Sequence, residues 1–378
     1  MESVNNKILF DLSFILSRSS LFTGVAKYAY RLLEYIVKAN RQGHYILLLN
    51  SQTAEDVMKM FPQFGYVIIG KKWMDKLKFF KYFAYMLEFK KAVNRTFPKL
   101  VFCPSSGPVG CLKVKPPKIS VIHDLQVRVD AKLLKKRDVW IYTFAEDSII
   151  ENADYVFTIS NFSKKQILSF YPEAYEKVLN MSNSVSMLRP DDLKPMRPGF
   201  NYILYCGRLC VQKNVLTLLK AFNLIRNHFH SLKLVLLAKQ GDYWESVLKP
   251  YAENNGFLSD VILTGGCSEE ELSRWYLGAD CFVFPSLREG FGSPPLEAAF
   301  MHVPVVTSKS DSLEEVTLGL LNYYEPTNDE IKLAEAIKNV LVNPPSSKQL
   351  GEIANEYQKH YSIDVVGKNI CDFLEHFN

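Results

Sequence analysis

Short apolar runs alternate with amphipathic stretches along the whole chain. The runs are bounded by Gly, Pro, Ser or Asn, which is typical of buried strands. The stretches between them repeat apolar residues every three or four positions, as helices do when one face is buried. This alternation predicts parallel sheets with helices on both faces. The predicted strands are residues 7–12, 45–49, 100–103, 118–122 and 155–159, followed by 202–205, 232–237, 261–264, 281–284 and 303–307.

The two series of predicted strands indicate two domains, because 378 residues are too many for one ordinary core. A Pro-rich, charged segment at residues 188–199 separates the series and is predicted as the boundary. We predict a Rossmann-like domain over residues 1–190 and a second one over residues 191–378. The last helix, at about residues 361–378, would be able to pack back on the first domain. Two doubly wound domains facing each other would place a ligand cleft between them.

Composition narrows the class of protein. Hydrophobic residues make up 48% of the chain and charged residues 22%, as in soluble globular proteins. The apolar runs are far shorter than the roughly 18 residues of a spanning helix, and the N-terminus lacks the apolar region of a secretory signal. Seven cysteines with no C-x-x-C pair favour reduced thiols in the cytoplasm and argue against a zinc site.

Charge is distributed unevenly. Residues 1–196 hold 29 Lys and Arg against 18 Asp and Glu, a net +11, whereas the remainder holds 16 against 22, a net −6. The basic half fits an anionic partner, although solubilising lysines explain it equally well. Residues 71–95 combine eight basic residues, two acidic ones and many aromatics. They fit either a segment lying on an anionic membrane or a surface helix packed on its own sheet. No motif for nucleic-acid recognition accompanies them, so no nucleic-acid partner is expected.

The richest chemistry lies in residues 284–299, where an apolar strand leads through a Gly-rich turn into a helix. Glu289 and Glu297 enclose Gly290 and Gly292 in this segment. In α/β sheets such turns lie at the carboxyl ends of strands, where ligands bind. Glycines let a ligand approach the backbone, and N–H groups near a helix start face its oxygen atoms.

Three further positions repeat the strand, turn and helix pattern. Arg208 and Lys213 follow the strand at 202–205, where two cations and a helix start suit a polyanion such as a diphosphate. The spacing of a Walker A loop is absent. Gly24 opens a predicted helix in the first half and is a weaker anion-binding candidate. His123 ends a predicted strand and fits either a structural role or a ligand in the cleft.

Together, these motifs resemble the retaining, nucleotide-sugar-dependent glycosyltransferases of family 4, which have the two-domain GT-B fold. The match is strong in the second half of the chain and looser in the first. The matching segments are Gly207-Arg208 with Lys213-Asn214, Gly265-Gly266, the E-x7-E pattern from Glu289 to Glu297, Thr23-Gly24, His123-Asp124 and Ser160-Asn-Phe-Ser-Lys164. The resemblance implies two Rossmann-like domains that face each other across a cleft.

The resemblance also implies how the donor would be bound. Arg208 and Lys213 would bind its diphosphate, and Gly24 would approach the phosphates when the cleft closes. Glu297 would bind the ribose hydroxyls, since a carboxylate accepts hydrogen bonds from two O–H groups.

The transferred sugar would meet a different set of groups. Glu289 and the backbone N–H groups of Gly290, Phe291 and Gly292 would hold it, and His123 would face it from the first domain. Glu289 would orient the sugar and stabilise positive charge without acting as a nucleophile. A glycosidase would also use two carboxylates, but it would have no use for a diphosphate site.

The chain contains no Asp-x-Asp, the carboxylate motif by which a metal-dependent transferase holds a cation on the diphosphate. Arg208, Lys213 and helix termini would neutralise the leaving group instead. We therefore expect no metal and no cofactor besides the substrate nucleotide sugar, either GDP-mannose or a UDP-sugar. The form Gly-Phe-Gly-x-Pro-Pro-Leu-Glu resembles that of many mannosyl- and hexosyltransferases, which mildly favours mannose.

The expected function is transfer of a hexose to a lipid-linked glycan in bacterial surface polysaccharide synthesis, as in lipopolysaccharide. The expected location is the cytoplasm, peripherally on the inner face of the plasma membrane. Two alternatives stay open. One is a non-catalytic member that scaffolds or chaperones a partner transferase, and the other is a soluble transferase that acts on a small molecule.

Overall fold

The computed structural model describes residues 6–71, 74, 77, 80–129, 131, 135–185, 193–229 and 231–377. The chain divides into two compact units. Unit 1 consists of Met1–Ser184 and Ile363–Asn378, and unit 2 is Val185–Ser362. The boundary predicted between residues 190 and 191 lies outside the described residues.

Unit 1 is built on a parallel sheet. Its strands are β1 Ile8–Asp11, β2 Tyr45–Asn50, β3 Gly65–Ile69, β4 Leu100–Cys103, β5 Lys118–Val121, β6 Tyr155–Thr158 and β7 Val178–Asn180. Its first helices are α1 Gly24–Lys38, α2 Ala54–Met60, α3 Lys81–Thr96, α4 Gln126–Val129, α5 Lys136–Asn152 and α6 Asn161–Phe170. Within the described residues the strand order is β3-β2-β1-β4-β5-β6-β7, with every neighbouring pair parallel.

Unit 2 repeats this architecture. Its strands are β8 Tyr202–Cys206, β9 Lys233–Leu237, β10 Val261–Leu263, β11 Cys281–Phe284, β12 Val305–Ser308 and β13 Asn322–Tyr324. Its helices are α7 Val215–Ile225, α8 Lys249–Asn254, α9 Glu269–Gly278, α10 Ser293–Phe300, α11 Asp311–Val316, α12 Glu330–Val342 and α13 Ser347–Tyr361. The strand order is β10-β9-β8-β11-β12-β13, again parallel throughout. Two Rossmann-like α/β units are therefore confirmed.

The last helix, α14 Ile363–Glu375, belongs to unit 1 and packs against α1. The two helices approach so closely that a Cβ at Gly367 would lie 2.5 Å from the ring of Tyr35. Arg41 Nη1 donates to Asp372 Oδ1 at 2.7 Å, and Tyr45 Oη donates to Glu375 Oε1 at 2.8 Å.

Side chains alternate along the strands of unit 1, so that apolar residues cover both faces of its sheet. Leu9 and Val101 pack with Tyr85 and Phe89 of α3 in one cluster. The neighbouring residues belong to an aromatic row that continues to α14, made of Phe10, Phe102, Phe157 and Phe373.

Helix α3 covers part of the basic segment 71–95, of which residues 72, 73, 75, 76, 78 and 79 lie outside the described residues. Tyr85 and Phe89 are buried against the sheet, as the packing interpretation predicts. Phe83 and Leu87 lie on the exposed side of the same helix. No helix among the described residues has the length and apolar character needed to cross a membrane.

The strand order of each sheet reverses at one position, between β1 and β4 in unit 1 and between β8 and β11 in unit 2. In doubly wound sheets, ligands bind outside the carboxyl ends of the strands at such switch points. The strands that flank the switch point of unit 2 end at Cys206 and Phe284. The loops that follow these strands carry Arg208, Lys213 and residues 289–292, which are predicted to bind the donor.

Candidate functional site

Two loops of unit 2 meet at its switch point. Loop 207–213 follows β8, and loop 285–292 follows β11. Gln212 joins them, because its carbonyl oxygen accepts a hydrogen bond from Leu287 N at 2.9 Å and its Nε2 donates to Arg288 O at 3.0 Å. The structure therefore brings together two predicted parts of the site that are far apart in sequence.

Asn214 fixes the point where loop 207–213 enters α7. Its φ of 55° is left-handed, a conformation that asparagine tolerates better than most residues. Its Nδ2 donates to Pro285 O at 3.2 Å and to Thr327 O at 2.7 Å, and its Oδ1 accepts from Thr217 Oγ1 at 2.7 Å. These bonds hold Lys213, the preceding residue, in a defined place beside loop 285–292.

Gly207 allows the chain to turn sharply after β8. Its φ is +151°, and a Cβ there would lie 2.9 Å from Tyr205 Oη. That hydroxyl donates to Arg208 O at 2.8 Å. Burial raises the pKa of Tyr205, so the phenol stays protonated and keeps donating. The buried Tyr205 thus holds the turn through its hydrogen bond to Arg208 O, while the Arg208 residue itself is exposed.

Lys213 and Glu289 form an ion pair between the two loops. Lys213 Nζ lies 2.5 Å from Glu289 Oε1, and the two side chains are only 14% and 12% exposed. The ammonium also lies 5.5 Å from the ring centroid of Phe284. Ser312 Oγ donates to the carbonyl oxygen of Glu289 at 2.8 Å. The predicted diphosphate-binding cation and the predicted sugar-binding carboxylate are therefore in direct contact.

The turn from residue 290 to residue 292 presents its backbone rather than its side chains. Gly292 has a φ of +84°, and a Cβ there would lie 2.3 Å from Leu313 Cδ2. The ring of Phe291 is buried edge-on against Tyr361, with centroids 5.4 Å apart. This arrangement suits the predicted role of the backbone N–H groups of Gly290, Phe291 and Gly292.

The start of α10 contributes fewer donors than an ordinary helix start. Its second and third residues are Pro294 and Pro295, which have no N–H group. N–H groups aimed at a ligand must therefore come mainly from the turn before the helix.

Glu297 lies in the second turn of α10, eight residues after Glu289 in the sequence motif. Its Oε2 accepts a hydrogen bond from Tyr276 Oη over a long 3.4 Å. Burial raises the pKa of Tyr276, which therefore remains a neutral donor. The role of Glu297 toward ribose stays a prediction.

Three serines that the sequence reading did not single out support the site. Ser308 Oγ and Ser310 Oγ donate to Ser286 O at 2.5 and 3.0 Å, and Ser312 holds the carbonyl of Glu289. The available signal was the alternation of serines at 308, 310 and 312 directly after a predicted strand. Such short hydroxyl side chains suit the tethering of a neighbouring loop.

His123 lies just beyond β5 in unit 1. Its Nε2 is 2.9 Å from Pro104 O, and since a carbonyl only accepts, the proton is on Nε2. Burial lowers the pKa of His123, which favours the neutral ring with Nδ1 as an acceptor. The ring also meets Tyr28 edge-on at 5.0 Å between centroids.

Gly24 is the first residue of α1, the helix that carries Tyr28. Thr23 caps this helix by accepting a hydrogen bond from Ala26 N at 3.3 Å. A Cβ at Gly24 would find no atom within 4 Å. Packing therefore does not demand glycine here, and its predicted approach to phosphates remains untested. The predicted site residues form two groups, one in each unit.

No group of three or more His, Cys, Asp or Glu side chains that could hold a metal ion occurs among the described residues. The expected independence from metal ions stays a prediction.

Most of unit 2 matches a known protein family. Residues 194–357 match the family model described as "Glycosyl transferases group 1". This segment contains both loops of the site and the E-x7-E pattern. The match confirms the family resemblance predicted for the second half of the chain.

A curated relative adds detail. The chain is 26% identical over 207 residues to "O-antigen chain mannosyltransferase B" of Escherichia coli, an alignment that covers 52% of this chain and 54% of the relative. The chain thus matches about half the length of that relative.

Solved structures share the whole fold. Sucrose-phosphate synthase from Thermosynechococcus elongatus superposes with a TM-score of 0.76 at 18% identity, covering 98% of both chains. HepE of Anabaena, solved in complex with UDP and glucose, gives a TM-score of 0.72 at 14% identity, covering 98% of this chain and 99% of that one. The predicted GT-B class is confirmed, and at these identities the likeness concerns the fold alone.

Proposed function

We propose that the chain transfers a hexose, with retention of configuration, from a nucleoside-diphosphate sugar to a glycan acceptor in surface polysaccharide synthesis. The observation that carries this proposal is the joining of loops 207–213 and 285–292 by Gln212. The joined loops set cations, a carboxylate and glycine N–H groups around one switch point, inside the segment that matches the family. The O-antigen mannosyltransferase relative supports a hexose donor, with mannose favoured.

Donor binding in this proposal uses charge already in place. Arg208 and Lys213 contact the diphosphate, since charge-assisted hydrogen bonds to phosphate oxygens are stronger than neutral ones. The same cations stabilise the negative charge that develops on the leaving group. Glu297 accepts hydrogen bonds from the ribose hydroxyls at the other end of the nucleotide.

The sugar end is held by the turn after β11. Glu289 accepts from sugar hydroxyls and places negative charge near the developing oxocarbenium ion, while N–H groups of residues 290–292 fix its orientation. Ser312 and Lys213 hold Glu289 in position for this task. His123 supplies an uncharged ring from unit 1 for a sugar hydroxyl. The bond between the sugar C1 and the phosphate oxygen breaks, and the acceptor oxygen bonds to C1 on the same face, so the configuration is retained. The departing phosphate oxygen takes the acceptor's proton.

The proposal extends to the acceptor and its location. A lipid-linked glycan at an anionic membrane surface fits the net +11 of residues 1–196. Binding of the protein to anionic vesicles, and its absence with neutral vesicles, tests this part directly.

The decisive experiment is a thermal shift panel with GDP-mannose, GDP, UDP-glucose, UDP-galactose and UDP, followed by turnover with the nucleotide sugar that binds. One nucleotide sugar should raise the Tm in a concentration-dependent way. If none does so at millimolar concentration, donor binding and the proposed function are both contradicted. NMR of the product's anomeric proton then tests retention.

Metal independence is tested with the same assay. Protein freed of metal with a chelator should retain its turnover, because Arg208 and Lys213 supply the positive charge. Complete loss of turnover, restored by a divalent cation, would show that the charge comes from a metal.

A further inference from the structure

An apolar pocket lies on unit 1, between α3 and α5. It has a volume of about 420 Å³, within the range of roughly 300–1,000 Å³ of small-molecule sites. Its walls include Phe83 and Met86 of α3, Leu112, and Trp140 and Phe144 of α5. The lining is almost wholly apolar, so the chemistry of a fitting ligand is that of a hydrocarbon.

The rim of this pocket exposes an unusual amount of aromatic surface. Phe80 is 66% exposed, Phe83 59%, Trp140 62% and Phe144 43%. Trp140 and Phe144 stack one turn apart on α5, with ring centroids 6.1 Å apart. Exposed apolar groups gathered around a concave site mark a place where a ligand or partner is bound.

The segment 110–112, which carries the lining residue Leu112, is held by hydrogen bonds from the sheet and from α5. Lys118 of β5 is buried, and its Nζ donates to the carbonyl oxygens of Gly110, Cys111 and Leu112 at 3.1, 3.1 and 2.9 Å. Ser148 of α5 donates to the same Cys111 O at 3.0 Å. Because the segment is tied to both the sheet and α5, the pocket exists before a ligand arrives.

Basic residues lie close to lining residues of the pocket on both helices. Lys81 Nζ lies 5.2 Å from the ring centroid of Tyr82, another lining residue. Residues 135–137, Lys-Lys-Arg, are exposed at the start of α5, and Lys136 is one turn before Trp140. The nearby acid Asp138 pairs with Arg137 at 3.1 Å. An apolar cavity with a cationic mouth complements a hydrocarbon chain that carries an anionic headgroup.

The pocket is also connected to the predicted catalytic edge of unit 1. Its wall begins at Pro108, four residues after Pro104, whose carbonyl oxygen accepts the hydrogen bond from His123. One short segment therefore links the apolar cavity to the histidine predicted to face the transferred sugar.

We propose that this pocket binds the hydrocarbon chain of a lipid phosphate acceptor, with its anionic headgroup at the lysines of the mouth. The inference rests on the proposed function and names its acceptor class. A flat bilayer needs no preformed concavity, whereas a single chain does, and the link to His123 favours the substrate over a bulk membrane lipid. The pocket would hold the acceptor's lipid during the transfer.

The test measures binding of farnesyl monophosphate, below its aggregation concentration, to the full chain by calorimetry. Inorganic phosphate serves as the headgroup control. Farnesyl monophosphate should bind and inorganic phosphate should not. Phe83→Glu and Phe144→Glu each place a carboxylate at the apolar rim and should weaken binding by at least about tenfold.

Ile331→Glu is the matched control, since Ile331 is 60% exposed on a helix of unit 2 and Phe83 is 59% exposed on a helix of unit 1. It should leave lipid binding unchanged. All three variants should keep the wild-type far-UV spectrum and the wild-type thermal response to the nucleotide sugar, which shows that they are folded.

Four results would overturn the inference. Farnesyl monophosphate could fail to bind, or bind equally to the Phe83→Glu and Phe144→Glu variants. Those variants could lose only their cosedimentation with anionic vesicles, which would assign the rim to the bilayer. They could instead dissociate an oligomer of the wild type, which would assign it to a second copy of the chain. Nucleotide-sugar binding without lipid binding defeats this inference alone, whereas lipid binding without nucleotide-sugar binding defeats the proposed function and leaves the pocket standing.

Discussion

Lys213 Nζ and Glu289 Oε1 lie 2.5 Å apart, so two side chains expected to bind adjacent parts of the donor, its diphosphate and its transferred sugar, form an ion pair with each other. Both are largely shielded from water, where an ion pair is strong but each charge depends on its partner. For the donor to bind as proposed, its phosphate oxygens must contact Lys213 and its sugar hydroxyls must contact Glu289, side by side.

Glu289→Gln should abolish most turnover while leaving nucleoside-diphosphate binding nearly intact. The amide keeps the shape of the side chain but removes the negative charge near the reacting sugar, so kcat should fall by about 100-fold or more. Steady-state kinetics and calorimetry with the nucleoside diphosphate check the two halves separately. Equal losses in both would contradict the assigned role.

Lys213→Ala should have the opposite profile. Loss of a charged hydrogen bond to phosphate costs about 1.5–3 kcal/mol, so the nucleoside diphosphate should bind roughly 10- to 150-fold more weakly. Lys220→Ala is a suitable control, because Lys220 lies in the same unit in a half-exposed pair with Glu330 at 3.7 Å. Unchanged affinity in the Lys213 variant would remove this residue from the phosphate site.

Gly292→Ala should destabilise the protein more than Gly256→Ala. Both glycines have positive φ, +84° and +70°, but only at Gly292 would a Cβ collide, with Leu313 Cδ2 at 2.3 Å. Backbone strain costs about 1–2 kcal/mol in both variants, and overpacking adds about 1–3 kcal/mol in the first. Urea unfolding of the two variants measures the difference. Equal free energies of unfolding would mean that Leu313 moves aside without cost.

Asn214→Ala should cost more stability than Asn40→Ala. The two asparagines share a left-handed backbone, with φ of 55° and 56°, so the backbone term cancels between them. Asn214 also makes three side-chain hydrogen bonds, two of them to loop carbonyls, whose loss adds about 1–3 kcal/mol. The Asn214 variant should also bind the donor more weakly, because loop 207–213 is no longer fixed. If the variant bound the donor as tightly as wild type does, the hydrogen bonds of Asn214 to the loop would not contribute to donor binding.

Asp11→Asn should stabilise the protein at pH 8 but not at pH 4. Burial raises the pKa of Asp11 to about 6, so folding takes up a proton between about pH 4 and pH 6. The folded state binds more protons than the unfolded state in this window, so stability falls as the pH rises through it. The asparagine variant lacks that penalty while Oδ1 can still accept from Ser13 N.

The expected difference is about 3 kcal/mol at pH 8 and becomes small near pH 4. Urea unfolding of both proteins across this range measures it. A pH-independent difference would show that Asp11 does not titrate as its burial requires.

Much of the fold followed from local pattern. The apolar runs located every central strand, because such strands are buried on both faces and read as continuous apolar segments. The strands that pattern missed, β3, β7 and β13, are edge strands, and each is short or partly exposed. At an edge the apolar signal fades, so periodicity has little to detect.

The candidate site likewise contains residues that local sequence predicts and residues that it does not. The positions of Arg208 and Glu289 in loops after strands were predictable, because glycine, charge and strand end lie within a few positions of each other; their roles stay predictions. The tethers were not, since Gln212 and Ser312 act across loops that become neighbours only through the strand order β8-β11-β12. The apolar pocket on unit 1 depends likewise on α3 and α5, which are separate in sequence and meet only in the folded unit.

The position of α14 has a consequence for synthesis of the chain. Unit 1 begins at the N-terminus, yet Arg41 and Tyr45 find their partners Asp372 and Glu375 only on this last helix. During translation the first unit therefore cannot close its sheet face until residues 363–375 have left the ribosome, whereas unit 2 is complete beforehand. Of the two units, unit 1 is therefore the last to receive all of its residues.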